Sequence, residues 1–160
     1  MSFFVQSIAQ VYDGISLSTC KVDTSQTFTY TAGTLVGGLV EMFRDGDKEK
    51  LDLAHNVTLS VIRWVLGESG DIVIMSARKM TKNGVLMEPC DADRSCNLDA
   101  SIFKGIFVRN LRYLLDVTKE RATVKFYRRF LDTNIASLRH NASCQPHHNH
   151  TCHIVYLDGA

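Results

Sequence analysis

Apolar residues recur at helical spacing in four stretches of this chain: 33–43, 47–66, 99–117, and the segment that runs from the charged turn at 119–121 to the tail at 141. In each stretch the apolar side chains fall three or four positions apart and line one face of a helix. These faces contain Leu35, Val36, Leu39, Val40 and Phe43; Leu51, Ala54, Thr58, Val61, Ile62 and Val65; Phe103, Ile106, Phe107, Leu111, Leu114 and Leu115; and Tyr127, Phe130, Leu131, Asn134, Ile135 and Leu138. Because turns join the stretches, the pattern predicts an all-α chain of helical hairpins.

The segments outside these stretches give weaker signals. Residues 1–32 lack a helical period and are interpreted as a loop that leads to Gly33. The run at 71–75 is compatible both with a short strand and with a continued helix. A turn at Asn83-Gly84 precedes a short extended piece, and residues 141–160 form an irregular tail rich in His, Cys and Asn.

Two adjacent glycines interrupt the first predicted helix. Gly37 and Gly38 each weaken a helix by about 1 kcal/mol relative to alanine. Their presence indicates that another helix or a ligand approaches closely at this point.

A short loop between two cysteines precedes the third predicted helix. Cys90 and Cys96 bracket it, and Asp99 is expected to cap the helix that follows. A loop held at a helix N-terminus can turn backbone N–H groups and polar side chains toward a ligand. The sequence shows no environment that would raise the pKa of the nearby Glu88 or Asp91, so we interpret both as polar loop residues and assign no catalytic residue.

Charge and hydropathy argue against two classes of function. Lys and Arg number 18 against 17 Asp and Glu, and the basic residues are scattered, so nucleic-acid binding is not expected. No apolar run reaches the roughly 20 residues of a membrane-spanning helix. The first residues lack the basic start of a signal peptide. A single domain over residues 1–160 is expected.

Cysteines and glycosylation sequons nevertheless indicate a secretory origin. Asn-x-Ser/Thr sequons begin at Asn56, Asn141 and Asn149, and the chain contains five cysteines. We expect Cys90 and Cys96 to form a disulfide, because so short a loop closes readily.

The tail cysteines, Cys144 and Cys152, allow three interpretations. A second disulfide is favoured, a zinc site that uses the neighbouring histidines is an alternative, and unpaired residues are the third. The tail lacks the two spaced ligand pairs of a typical metal site, so no metal and no other cofactor is expected. Cys20 is then left without a partner in this chain.

Several motifs closely resemble one known family. The run FKGIFVRNL from Phe103 to Leu111 follows EPC at 88–90 and CNLD at 96–99. In this order the residues resemble the second half of glycoside hydrolase family 76, the endo-α-1,6-mannanases of bacteria and fungi. Further similar motifs lie at 11–14, 28–33, 37–41 and 127–138.

The resemblance implies a fold and a reaction. The family forms an (α/α)6 barrel, two concentric rings of six helices with a sugar-binding groove across one end, and hydrolyses α-1,6-mannoside links with adjacent aspartates. Glycoside hydrolysis requires two carboxyl groups. The family carries its Asp-Asp pair in the first half, and this sequence contains no Asp-Asp. The chain therefore resembles the C-terminal half of such an enzyme, part of a barrel without its catalytic pair, and we expect it to be inactive alone.

The resemblance also implies sugar contacts. Tyr30 and Phe103 are expected to stack on pyranose rings, and Gly33, Asp99 and Lys104 to lie at the groove. From the residues alone, a helix cap at Asp99 and a solvated side chain at Lys104 are the favoured interpretations, and the resemblance makes sugar contacts equally acceptable. Phe103 is better explained as core. The expected partner is an α-mannan polysaccharide or oligosaccharide, and the expected location is the secreted or cell-wall location of the family.

The sequence departs from the family pattern in three places. Thr31-Ala32 stand where the family has Asn-Gln, which removes two amides able to bind sugar hydroxyls. Arg139 replaces a tryptophan, and residues 65–80 have no counterpart.

Two other functions stay open. A non-catalytic carbohydrate-binding protein would retain mannan without cleaving it, and a helical interaction domain would have lost the groove. Because half a barrel leaves a broad apolar face uncovered, we expect the isolated chain to self-associate through that face.

Overall fold

The fold is that of a computed structural model. It describes residues 11–24, 27–62, 64–66, 72–74, 80–144 and 152–154. The backbone alone is described for 64–66, 72–74, 141–144 and 152–154.

Four α-helices and six short strands are found within the described residues. The helices are α1 (Thr29–Arg44), α2 (Glu49–Ile62), α3 (Ala100–Val117) and α4 (Arg121–Asn141). The strands are β1 (Trp64–Leu66), β2 (Ile72–Ile74), β3 (Thr81–Lys82), β4 (Val85–Leu86), β5 (Ala142–Cys144) and β6 (Cys152–Ile154), and they form three antiparallel pairs, β1–β2, β3–β4 and β5–β6. A 3-10 turn at Pro89–Asp91 precedes α3. The predicted all-α fold class is confirmed.

The first helix begins earlier than the apolar pattern predicts. The residues before Gly33, interpreted as a loop, include the first turn of α1, which starts at Thr29. Phe28 at the N-cap position contributes no side-chain hydrogen bond. Instead, the backbone N–H of Thr29 donates to Oε2 of Glu88 at 3.1 Å. The start was mispredicted because the capping group comes from a residue 59 positions away.

The second helix ends at Ile62, although the pattern predicted that it would continue to Leu66. Its expected last turn is replaced by β1, whose register pairs Trp64 with Ile74. Backbone groups that a longer helix would have used are satisfied by this ladder. The segment left open between strand and helix is therefore extended at β2. Gly67, expected to end the helix, lies outside the described residues.

The buried core lies where α1 packs against α2 and α3, its two most extensive neighbours. Fully burying one aliphatic side chain stabilises a fold by about 1.5–3 kcal/mol, so this core is the main stabilising feature. Its residues are Ala32, Val36, Leu39, Val40, Ala54, Val57, Val61, Ile62, Met80, Leu86, Phe107, Leu111, Leu114, Tyr127 and Phe130.

The helices α1 and α3 cross closely at two glycines. A Cβ atom on Gly33 would lie 2.6 Å from the Cα of Phe107, and one on Gly37 would lie 2.1 Å from Oδ1 of Asn110. The later residue of α1 thus contacts the later residue of α3. The two helices therefore run in the same direction and begin at the same end of the molecule. Gly37 thus has the close neighbour that the sequence predicted, whereas Gly38 has nothing within 4 Å of a built Cβ.

An asparagine of α4 holds the β3–β4 hairpin. The side chain of Asn134 is buried, its Oδ1 accepts a hydrogen bond from the N–H of Leu86 at 2.8 Å, and its Nδ2 donates to the carbonyl of Gly84 at 3.0 Å. This amide therefore satisfies backbone groups at the turn predicted at Asn83-Gly84.

The apolar face of α4 is buried only in its first part. Tyr127 and Phe130 are fully buried, and the Tyr127 hydroxyl lies 2.8 Å from Nδ1 of His55 on α2. Ile135 and Leu138 were predicted to be buried, but they are 45% and 50% exposed. The helical period continues through them, but the β3–β4 hairpin that packs at Asn134 leaves both side chains open to solvent.

The tail, expected to be irregular, contains the β5–β6 pair. Its register places Cys144 directly opposite Cys152. The side chains of both cysteines, and the sequon residue Asn149, lie outside what the structure describes.

Replacing Gly33 with alanine is expected to lower the free energy of unfolding by about 1–3 kcal/mol, because the new methyl group must displace the backbone of Phe107. Urea denaturation followed by circular dichroism measures this change. Gly38→Ala on the same helix is the matched control. Because open space surrounds that position, it should stabilise the chain by up to about 1 kcal/mol. Equal effects of the two substitutions would contradict the close helix crossing.

A disulfide between Cys144 and Cys152 remains a prediction, and the backbone register supports it. Directly opposite residues of an antiparallel pair have Cα atoms about 4.5–5.5 Å apart, a separation that disulfides span. Non-reducing peptide mass spectrometry of protein from a secretory host should recover the two tail peptides joined. Finding both cysteines alkylated as free thiols in native protein would refute the pairing.

Candidate functional site

Three aromatic rings meet where α1 and α3 begin. The ring centroids of Tyr30 and Phe103 lie 4.4 Å apart, those of Phe28 and Phe103 5.4 Å apart in an edge-on arrangement, and those of Phe28 and Tyr30 6.1 Å apart. All three residues are half-buried. Phe103 is therefore not a core residue, as the residues alone had suggested, but part of an aromatic cluster that is partly open to solvent.

The hydroxyl of Tyr30 is held by an acid from a preceding segment. It donates a hydrogen bond to Oδ1 of Asp13, an exposed residue. This hydrogen bond, with burial and the charge of Asp13, raises the pKa of Tyr30 to about 12. Tyr30 is consequently a protonated phenol at neutral pH, oriented by one fixed acceptor.

The carboxyl group of Glu88 is buried and caps α1. Its side chain accepts hydrogen bonds from the backbone N–H of Thr29 at 3.1 Å, from the Thr29 hydroxyl, and from the backbone N–H of Asp91. A negative charge at this position also faces the positive end of the α1 dipole. Glu88 thus joins the start of α1 to the cysteine loop.

Burial raises the pKa of Glu88, and the charge of Asp91 adds to this effect. Hydrogen bonds from Thr29 and the charge of Lys104 act in the opposite direction. The sequence interpretation that no raised-pKa environment exists here is therefore wrong for Glu88. Glu88 and Asp91 form a capping box around the 3-10 turn. Their spacing of three residues is a sequence signal for such a turn, and the interpretation as a polar loop overlooked it.

Asp91 connects the cysteine loop to α3. Its Oδ2 accepts hydrogen bonds from the backbone N–H of Glu88 at 2.6 Å and from Nζ of Lys104 at 2.7 Å. The side chain of Asp91 is 1% exposed and that of Lys104 is 15% exposed, so this ion pair is largely shielded from solvent. Cys90 and Cys96 are joined in a disulfide that closes the loop around Asp91. Lys104 is therefore not simply a solvated lysine.

The two remaining predicted site residues have other surroundings. Gly33 is buried against the backbone of Phe107, where its role is helix packing. Asp99 is exposed and makes no capping hydrogen bond with its side chain. The backbone N–H of Ala100 donates instead to Oδ1 of Asn97 at 2.9 Å, so the expected cap by Asp99 is corrected to Asn97.

The structure thus brings Tyr30, Phe103 and Lys104 together and leaves Asp99 at the exposed edge. The motifs at 11–14 and 28–33 contain Asp13 and Phe28, but sequence reasoning assigned no site role to either residue. It also missed the burial of Glu88, because its contact with Thr29 leaves no periodic signal. Aromatic faces beside charged side chains are suited to a neutral polyol, whose C–H groups pack on rings and whose hydroxyls need hydrogen-bond partners.

Other predicted features can be placed only in part. Asn56 is half-buried on α2, whereas the side chains of Asn141 and Asn149 lie outside the described residues. Cys20 is exposed and forms no disulfide with another described residue. Among the residues that the structure describes, no group of three His, Cys, Asp or Glu side chains is arranged to hold a metal. No helix in this part of the chain is long and apolar enough to span a bilayer.

The architecture is that of an all-α protein built of helical hairpins. The model of glycosyl hydrolase family 76 matches residues 1–160, and the chain belongs to that family. This family has the (α/α)6 barrel fold, and the helical hairpins described above form part of such a barrel. Neither a curated protein nor a solved structure gives a significant match to the chain.

Replacing Glu88 with glutamine is expected to lower the free energy of unfolding at neutral pH by about 1–3 kcal/mol, because an amide turns a donor toward donor groups. Since the folded pKa is raised above its ordinary value of 4.5, the contribution of Glu88 is complete below that value and declines as the pH rises through the raised one. The stability advantage of wild type over Glu88→Gln should shrink as the pH rises. Urea denaturation at several pH values measures it.

Glu120 provides a control, because its pKa is shifted in the direction opposite to that of Glu88. Hydrogen bonds from Thr123 lower the pKa of this exposed residue, so its contribution is present above the ordinary pKa and is lost as the pH falls. The advantage of wild type over Glu120→Gln should therefore shrink in the acidic direction. Two variants with the same pH slope would contradict the assignment of Glu88 as a buried carboxyl with a raised pKa.

Proposed function

We propose that this chain is part of a glycoside hydrolase acting on α-1,6-mannan and contributes a sugar-binding wall rather than the catalytic carboxyl pair. Membership of glycosyl hydrolase family 76 supports the hydrolase class and a polysaccharide substrate. The observation that carries the binding role is the partly exposed cluster of Phe28, Tyr30 and Phe103, with Lys104 beside it.

The aromatic cluster gives a pyranose ring two kinds of contact. Tyr30 and Phe103 lie close enough, at 4.4 Å between centroids, to form one continuous apolar surface for the C–H face of a sugar. Hydroxyl groups at the rim of the sugar ring would then bind charged side chains at the start of α3, for which Lys104 and the preceding residue Asp99 are the candidates.

The carboxyl groups of the cysteine loop do not supply hydrolysis. A glycosidase needs one carboxyl group at the leaving oxygen and another at the sugar carbon or its water. Glu88 and Asp91 are buried, and both accept hydrogen bonds from donors within the protein. The printed sequence contains no adjacent aspartates. We therefore expect the 160 residues alone to bind mannan without cleaving it.

A secreted or cell-wall location is part of the same proposal. A disulfide such as Cys90–Cys96 forms and persists in an oxidising compartment. Glycans at Asn56, Asn141 and Asn149 would be expected there, and their sequons are compatible with it.

Phe103→Ala should weaken binding of α-1,6-linked mannotetraose by about tenfold, because a stacking ring contributes about 0.5–1.5 kcal/mol beyond its buried area. Isothermal titration measures the dissociation constant, and a reducing-end assay tests for cleavage. Ile102→Ala is the matched control, since this neighbour is 59% exposed and lies outside the aromatic cluster. It should bind as the wild type does.

Two outcomes would contradict the proposal. Turnover abolished by mutating one of the chain's own acids would show that the catalytic pair is present after all. Absence of binding, together with concentration-dependent dimerisation in light scattering, would favour the alternative of a helical interaction domain. The exposed apolar side chains of Ile135 and Leu138 on α4 are the observation that favours this alternative.

A further inference from the structure

Asp13 stands at the edge of the aromatic cluster without belonging to either helix. One carboxylate oxygen accepts a hydrogen bond from the hydroxyl of Tyr30, whose ring contacts Phe103. Asp13 itself is exposed. A carboxylate offers about four acceptor positions, and Tyr30 uses one of them. Because Asp13 is exposed, its carboxylate can accept further hydrogen bonds from a ligand.

The segment that carries Asp13 is fixed on both sides. Immediately after it, residues 14–23 form a hydrogen-bonded turn, in which the N–H of Asp23 donates to the carbonyl of Gly14 at 2.9 Å and Ile15 bridges Val22. Before it, Val11 packs against the core. The carboxylate is thus held near its position before any ligand arrives, which reduces the entropy lost on binding.

We infer that Asp13 is a sugar-binding residue of this site, accepting hydrogen bonds from a hydroxyl group of the mannose unit that stacks on Tyr30 and Phe103. The inference rests on the proposed function and adds a residue to it. A carboxylate receives sugar hydroxyls in charge-assisted hydrogen bonds, which are stronger than those to neutral acceptors. The hydrogen bond from Tyr30 holds one oxygen of the group beside the aromatic ring on which the sugar would stack.

A direct role for Asp13 can be separated from an indirect role through Tyr30. Isothermal titration with α-1,6-linked mannotetraose would compare the wild type with Asp13→Asn, Tyr30→Phe and the double variant. Asp13→Asn should weaken binding by about tenfold or more, as expected for losing a hydrogen bond to a charged group. Because the contact is direct, Asp13→Asn should weaken binding again in the Tyr30→Phe background.

Two controls accompany the titration. Asp45→Asn removes an equal charge from an exposed residue at the opposite end of α1, and it should leave the dissociation constant within about twofold of wild type. An ultraviolet titration of the Tyr30 phenol, isolated by subtracting the Tyr30→Phe curve, should show the pKa falling from about 12 toward 10.0 in Asp13→Asn. That shift reports the local contact independently of sugar.

The outcomes distinguish the inference from the proposed function. If wild type binds mannotetraose and Asp13→Asn binds within about twofold of it, the inference fails while the proposed function stands. An Asp13→Asn effect that disappears in the Tyr30→Phe background overturns the direct contact, because Asp13 would then act only by orienting the phenol. A wild-type chain that binds no mannotetraose overturns both.

Discussion

A carboxyl group buried between two distant segments sets the geometry of the candidate site. Glu88 is 1% exposed, and its oxygens accept hydrogen bonds from the first residue of α1 and from the 3-10 turn. Burying a carboxyl group without such donors lowers the stability of a fold by several kcal/mol. The burial of Glu88 is therefore tolerated only while Thr29 and Asp91 keep their positions. The first turn of α1, which carries Tyr30, therefore depends on the cysteine loop even though 59 residues separate Thr29 from Glu88.

The close crossing of α1 and α3 brings the aromatic side chains of the two helices together at the surface. Because Gly33 lets the backbone of Phe107 approach, side chains one turn earlier on both helices meet, and these are Tyr30 and Phe103. The two helices run in the same direction, so both N-termini and the cysteine loop lie at one end of the molecule. Asp91 then ties that loop to α3 through Lys104. The aromatic cluster is thus a consequence of backbone packing below it.

The parts of this fold that were predictable from sequence are those decided by local periodicity. The helix predicted over 99–117 is found at Ala100–Val117, because its apolar face is continuous and its cap is local. The start of α1 and the end of α2 were not predictable, since a distant carboxyl group decides one and a strand pairing the other. The family motifs indicated Tyr30, Phe103 and Lys104 as neighbours in a groove. The motif at 11–14 contains Asp13, but it did not indicate a role for this residue, because no spacing rule predicts its contact with Tyr30.

The distribution of charge around the site argues for binding over catalysis by these residues. The acids that sit deepest, Glu88 and Asp91, have their oxygens occupied by donors from the protein, and one of them faces a lysine that neutralises it. Catalytic carboxyl groups must instead reach the scissile bond, one to protonate and one to attack. Asp13, by contrast, is exposed. It accepts a hydrogen bond from the Tyr30 hydroxyl and stands beside the aromatic cluster. We infer that an acid in that position orients a neutral sugar. The described contacts of the aromatic cluster include no second exposed carboxyl group that could help to cleave one.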